Sequence, residues 1–128
     1  MTDVTIILAH GDREGEAEKA LDFMAGQLKI RNPKQRIEIA VLLPIPQRLS
    51  VEVVLERLIK DGVQTIDVIP WFLFPGPHVR RDIPAILDKV CRQYPGVAIH
   101  LQEPLGLDPQ MLELLARRVQ MSANKESR

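Results

Sequence analysis

Apolar residues along this chain fall into two alternating rhythms. The run Val4 to Ala9 is short, continuous and partly β-branched, and it stops at His10-Gly11, which reads as a strand buried on both faces. Helical spacing follows at once: Ala17, Ala20, Leu21, Met24 and Leu28 share one face of a helix that halts near Asn32-Pro33. The pair then repeats. Ile37 to Leu43 predicts a second strand, and Val51, Val54, Leu55, Leu58 and Ile59 predict a second helix, with Ser50 as N-cap and Gly62 as its stop. Thr65 to Leu73 predicts a third strand that carries Trp71 and Phe72 into the core. Asp82 is placed to cap a third helix through Ile83, Ile86, Leu87, Val90 and Cys91, with Pro84 in its first turn and Tyr94-Pro95-Gly96 at its end. Val97 to Gln102 predicts the fourth strand, and a last helix spans 108–120. The polar MSANKESR that follows, residues 121–128, predicts a frayed tail.

Strict strand–helix alternation with doubly buried strands predicts an α/β fold. Residues 1–120 should form one domain, a doubly wound three-layer sandwich with a four-stranded parallel sheet and helices on both faces. In such a sheet ligands lie beyond the carboxyl ends of the strands, where strand order reverses. The loops 10–15, 43–49, 74–81 and 103–107 share that rim, so chemistry is expected there.

Two of the chain's three histidines stand on it. His10 directly follows the first strand, and Gly11 lets the backbone turn sharply behind it. His78 follows Phe74-Pro75-Gly76-Pro77, a segment stiffened by two prolines. Imidazole is the commonest ligand for first-row divalent metals, so the pair predicts a metal or proton-transfer site formed by distant parts of the chain. Arg13, Arg48, Arg80 and Arg81 also fall in rim loops, where guanidinium forks suit a polycarboxylate ligand. His100 shares the more polar side of the fourth strand and is read as structural, and Cys91 as a core thiol.

Charge and composition narrow the field. Lys plus Arg and Asp plus Glu both number 17, so nothing draws the whole chain to nucleic acid or an anionic membrane. A single cysteine cannot form an internal disulfide, no apolar run is long enough to span a bilayer, and the start lacks a basic leader. A cytoplasmic location is expected. The chain has no Gly-rich phosphate loop, nucleophile elbow or dinucleotide fingerprint, so no organic cofactor is expected.

Three stretches resemble one family. ILAHGDREGEAEKA is similar to the opening strand, His-Gly turn and first helix of the small class II chelatases of the CbiX type, which act on sirohydrochlorin. VIPWFLFPGPHVRRDIPAIL resembles their second signature, and VAIHLQEPLGLDPQMLELL their closing strand, turn and helix. The resemblance spans residues 4–119. It implies a lyase inserting a divalent metal, Co2+ first, then Fe2+ or Ni2+, into a carboxylate-rich tetrapyrrole for cobalamin or sirohaem. His10 and His78 match the family's active-site and metal-binding histidines, and Arg13, Arg48, Gly76, Arg80 and Arg81 would hold the ring. A homodimer with two facing crevices is also implied. This sequence departs from the pattern at Asp12, where serine is usual, and at Leu43, where many relatives carry a glutamate. Three metal-holding arrangements stay open: the histidines alone, the histidines with Asp12, or a site across a dimer. A carrier that binds ring or metal without inserting it is the alternative.

Overall fold

The computed structural model describes residues 2–124. Strands β1 (Val4–Ala9), β2 (Ile37–Val41), β3 (Thr65–Pro70) and β4 (Ala98–Leu101) form one parallel sheet in the order β2-β1-β3-β4. Helices α1 (Glu16–Arg31), α2 (Val51–Lys60) and α3 (Pro77–Gln93) connect them, and a 3₁₀ turn (Leu105–Leu107) leads into α4 (Pro109–Asn124). The chain winds first to one side of β1 and then to the other, so strand order reverses between β1 and β3. The expected fold class holds, and its switch point lies between the strands that lead to His10 and His78.

The sheet's two faces are covered unequally. On one, Val4, Ile6 and Leu8 of β1 join Ile66 and Val68 of β3, closed over by Leu55 and Leu58 of α2 and Leu87 and Val90 of α3. On the other, Ile7, Ala9, Ile37 and Val41 pack with Leu21 of α1 and with Ile45. Leu55 is wholly buried, and truncating such a side chain to alanine costs about 2–5 kcal/mol. Ser50 caps α2 as expected, its Oγ accepting from the Val53 N–H at 3.4 Å.

Several boundaries differ from the sequence reading. β3 ends at Pro70, and Trp71 and Phe72 lie outside it; Trp71 is 38% exposed rather than core. The Phe72 N–H bonds back to the Pro70 carbonyl, turning the chain away from the sheet. β2 ends at Val41, although the Leu42 and Leu43 N–H groups still bond to Ala9 and His10. α3 starts at Pro77, so Asp82 is no cap and Pro84 lies inside the helix. Proline at the first helical position has the right φ and no N–H to lose, and Gly76 precedes it in extended conformation. The buried stripe of α1 is Glu18, Leu21 and Ala25, while Ala17, Ala20 and Met24 are exposed. α4 continues through residues 121–124, where a frayed tail was expected; residues 125–128 lie outside the described part. Cys91 is half-buried. Among the described residues, no helix is long and apolar enough to cross a membrane.

Candidate functional site

The site is built on main-chain geometry at the carboxyl ends of β1 and β3. Gly11 adopts φ +106, and a β-carbon there would lie 2.7 Å from the Leu43 carbonyl oxygen. Only glycine meets both conditions. The Leu43 N–H donates to the His10 carbonyl at 2.9 Å, so the segment after β2 braces the one after β1. Across the switch point, the Trp71 N–H donates to the Leu8 carbonyl at 2.8 Å and keeps the third rim segment alongside.

The two histidines are both exposed on this rim but are held differently. His10 Nδ1 lies 3.3 Å from the Gly11 carbonyl oxygen. A carbonyl only accepts, so Nδ1 carries the proton and the Nε2 lone pair is left for a metal ion or a proton; ligating histidines are commonly oriented this way. His78 is the second residue of α3, not a loop residue, and its Nδ1 lies 2.8 Å from Arg81 Nη2. A guanidinium only donates. His78 Nδ1 therefore accepts, and its neutral ring carries the proton on Nε2. The sites of protonation on the two imidazoles are opposite.

Asp12 serves the backbone. Its Oδ1 accepts from the Glu14 N–H at 3.1 Å, in the turn before α1, and its Oδ2 from the Ala17 N–H at 3.0 Å, one of the free donors in the helix's first turn. Those bonds, from Ala17 first and then Glu14, lower its pKa below the ordinary 3.8. A depressed folded-state pKa stabilises the fold above the unfolded value, and that contribution is lost as pH falls through the folded one. Asp12→Ala is thus expected to melt earlier than wild type at neutral pH. The gap between the two should close as pH drops below 3.8, which thermal unfolding followed by circular dichroism across pH checks.

Arg48 is engaged within the chain. Its Nε meets Glu18 Oε1 at 2.7 Å and its Nη2 contacts Asp22, which pins the segment after β2 onto α1. Burial opposes its charge, but the hydrogen bonds it donates to Asp22 and Glu18 prevail and raise its pKa. Glu18 is buried, and it was not singled out in the sequence. The i, i+4 spacing of Glu18 and Asp22 marks a two-carboxylate edge on α1 that could have suggested such a partner. Arg13 and Arg80, by contrast, are exposed and make no ion pair among the described residues. Arg80 lines a cleft of about 610 Å³ with Phe74, Pro75, Gln102, Glu103 and Leu107. Neither His10 nor His78 lines that cleft.

Large apolar side chains are exposed on the segments that follow β2 and β3. Leu43, Leu49, Trp71, Leu73 and Phe74 are all exposed. Among the described residues, no three histidine, cysteine or carboxylate side chains gather as a metal cluster. Among the described residues the rim offers one ready imidazole lone pair, a second nitrogen under a guanidinium, exposed apolar side chains and two cations without an ion pair. His100 stands apart on the sheet face, its Nδ1 2.7 Å from Asp67 Oδ1.

Known proteins share this fold. SirB from Bacillus subtilis with Fe3+ superimposes with a TM-score of 0.79 at 25% identity, over 98% of this chain and 49% of that one. A CbiX protein from Marinobacter aquaeolei VT8 superimposes with a TM-score of 0.69 at 29% identity, over 94% of this chain and 93% of that one. In sequence, the sirohydrochlorin ferrochelatase of Bacillus subtilis (strain 168) is 29% identical over 121 residues, 93% of this chain and 45% of that protein. The sirohydrochlorin cobaltochelatase of Methanococcus aeolicus is 24% identical, over 91% of this chain and 96% of its own length. The chain spans about half the length of several curated relatives that it matches. The CbiX family profile matches residues 4–122, nearly the whole sequence, and the chain belongs to the CbiX family.

Proposed function

We propose that this protein is a sirohydrochlorin chelatase, a lyase that inserts Co2+ or Fe2+ into the tetrapyrrole. The observation that carries the reading is His10, exposed at the switch point with Nδ1 tied to the Gly11 carbonyl and Nε2 unengaged. Insertion exchanges two pyrrole N–H protons for one divalent ion. His10 Nε2 can hold the incoming metal or accept a departing proton, since a neutral imidazole does either. His78 is readied by the ring itself: a ring carboxylate draws Arg81 away from Nδ1 and frees that nitrogen as the second ligand. Arg13 and Arg80 bind further carboxylates, while Gly76 brings backbone close to the ring edge. Arg48 holds the segment after β2 in place. The exposed apolar side chains offer the macrocycle a surface to lie on. Cobalt is placed ahead of iron, with nickel third, and the working compartment is the cytoplasm. The active unit is a homodimer whose two rims face each other.

Purified protein mixed with sirohydrochlorin and Co2+ or Fe2+, followed by absorbance, tests this. His10→Ala should fall to the spontaneous rate and His78→Ala should lose at least about tenfold, the scale of one metal-positioning contact. Rates unchanged in both variants would overturn the proposal. The absence of a third clustered ligand among the described residues favours a second reading, a carrier of ring or metal. Tight binding without faster insertion would support the carrier instead.

A further inference from the structure

Arg81 holds a histidine where an arginine would ordinarily hold an acid. It is exposed on α3, and no carboxylate pairs with it among the described residues, not even that of its neighbour Asp82. Its Nη2 lies instead 2.8 Å from His78 Nδ1, one turn back on the same helix. Residues three apart on a helix are neighbours, so no other element is needed to bring these two together.

That one bond closes both nitrogens of His78. A guanidinium only donates, so the Nδ1 lone pair is taken by an N–H and a metal ion cannot reach it. The neutral ring then keeps its proton on Nε2, which has no lone pair to offer. Moving that proton to Nδ1 would set two N–H groups against each other across the same 2.8 Å. His10 is the opposite case, with Nε2 open.

The surroundings add to the block. His78 is the second residue of α3, where free amide N–H groups leave positive potential, and the first turn has no acidic residue to offset it. Arg80 and Arg81 follow closely. A free dication approaching this helix start therefore meets fixed positive charge and a shut imidazole. A carboxylate reverses both conditions. It accepts from a guanidinium more strongly than a neutral nitrogen does, it can take the fork through two bonds, and it brings negative charge.

We propose that Arg81 makes metal binding at His78 conditional on the ring, so that the tetrapyrrole binds first and the metal second. The inference rests on the chelatase reading for the identity of the ring, and adds to it an order of events and the residue that enforces it. Arg81 is a positioning residue, because it acts through His78. In the ring-free chain a dication finds one open imidazole, that of His10. Once a ring carboxylate has taken Arg81 it finds two, so ring and metal each raise the other's affinity by the same factor. Metal ions are thereby kept off His78 while there is no macrocycle to receive them.

Isothermal titration of ring-free protein with Co2+ tests this. Arg81→Met keeps a long side chain but removes the donor, and should bind Co2+ about tenfold more tightly than wild type, the scale of one metal-positioning contact. The gain should vanish in the double variant Arg81→Met, His78→Ala. Arg80→Met removes the same charge one position away without touching an imidazole, and should gain clearly less. An Arg81→Met affinity equal to wild type, a gain that survives the loss of His78, or an equal gain from Arg80→Met would each overturn the proposal.

Nitrogen NMR on isotope-labelled protein, recorded well above the imidazole pKa of about 6.5, reads the bond itself. Wild-type His78 should carry its proton on Nε2. Metal-free sirohydrochlorin, or benzenehexacarboxylate as a plain polycarboxylate, should move its Nδ1 signal toward that of Arg81→Met. A His78 protonated on Nδ1 in the free protein, or a signal that neither compound moves, also overturns the proposal. Its failure and that of the chelatase reading are distinguishable. Insertion lost in the histidine variants, with Arg81→Met binding Co2+ no more tightly than wild type, removes the ordering and leaves the chelatase. A His78-dependent gain in Arg81→Met without any insertion keeps Arg81 as the block and removes the chelatase.

Discussion

Gly11→Ala is expected to unfold at much lower denaturant concentration than wild type and to lose the proposed metal insertion even where it remains folded. An L-residue held in sparsely populated backbone space costs about 1–3 kcal/mol, and Gly11 at φ +106 is such a position. A second penalty adds to it, because the new β-carbon would lie 2.7 Å from the Leu43 carbonyl oxygen. Main chain cannot yield as a flexible side chain does. Relief requires the segment after β2 to move, which breaks the Leu43 N–H bond to the His10 carbonyl. Stability and the placement of His10 should therefore fail together. A urea unfolding curve alongside the insertion assay checks this. A midpoint within error of wild type would mean that the Gly11 turn is not held as described.

Leu43→Glu is expected to tighten divalent-metal binding by about tenfold or more, the scale on which single groups around a metal act. Leu43 is 48% exposed and its backbone is bonded directly to that of His10, so a carboxylate there is carried on the rim segment that neighbours His10. An anionic oxygen beside a neutral imidazole favours Co2+ or Fe2+ through both charge and ligand count. Because the native side chain is half in solvent, replacing it leaves little cavity. Isothermal titration with Co2+ on wild type, Leu43→Glu and Leu43→Gln separates charge from shape. Equal affinities in all three would show that position 43 does not reach the metal, leaving the histidines to hold it unaided.

The order of elements and the switch-point rim were legible because the strands are short apolar runs and α2 has a clean apolar stripe with a serine cap. Where the reading slipped, a local signal had two physical meanings. Asp82-Ile83-Pro84 has the look of a helix start, but Gly76-Pro77 has it too, and the structure begins the helix at the latter. α1 was rotated in the sequence reading because its buried face includes Glu18. A carboxylate is tolerated there only because Arg48, thirty positions along, meets it. The candidate histidines could be picked out, but not their opposite protonation, which depends on Gly11 at one and Arg81 at the other. Asp12 was a departure of unknown purpose, and its two backbone bonds now assign it to the helix. A last helix was legible in the sequence, but not that its large apolar side chains would stand exposed within one chain.

The rim segments are fastened to one another through peptide groups. Leu42 and Leu43 bond to Ala9 and His10, Trp71 to Leu8, and Leu105 and Gly106 to Phe72 and Leu73, all by main-chain N–H and carbonyl. Side chains on the same segments, including Leu73, Phe74 and Leu107, stand largely in solvent. Those side chains can thus be exchanged without altering the framework that aims His10, so the surface of the rim and the geometry beneath it are free to change independently.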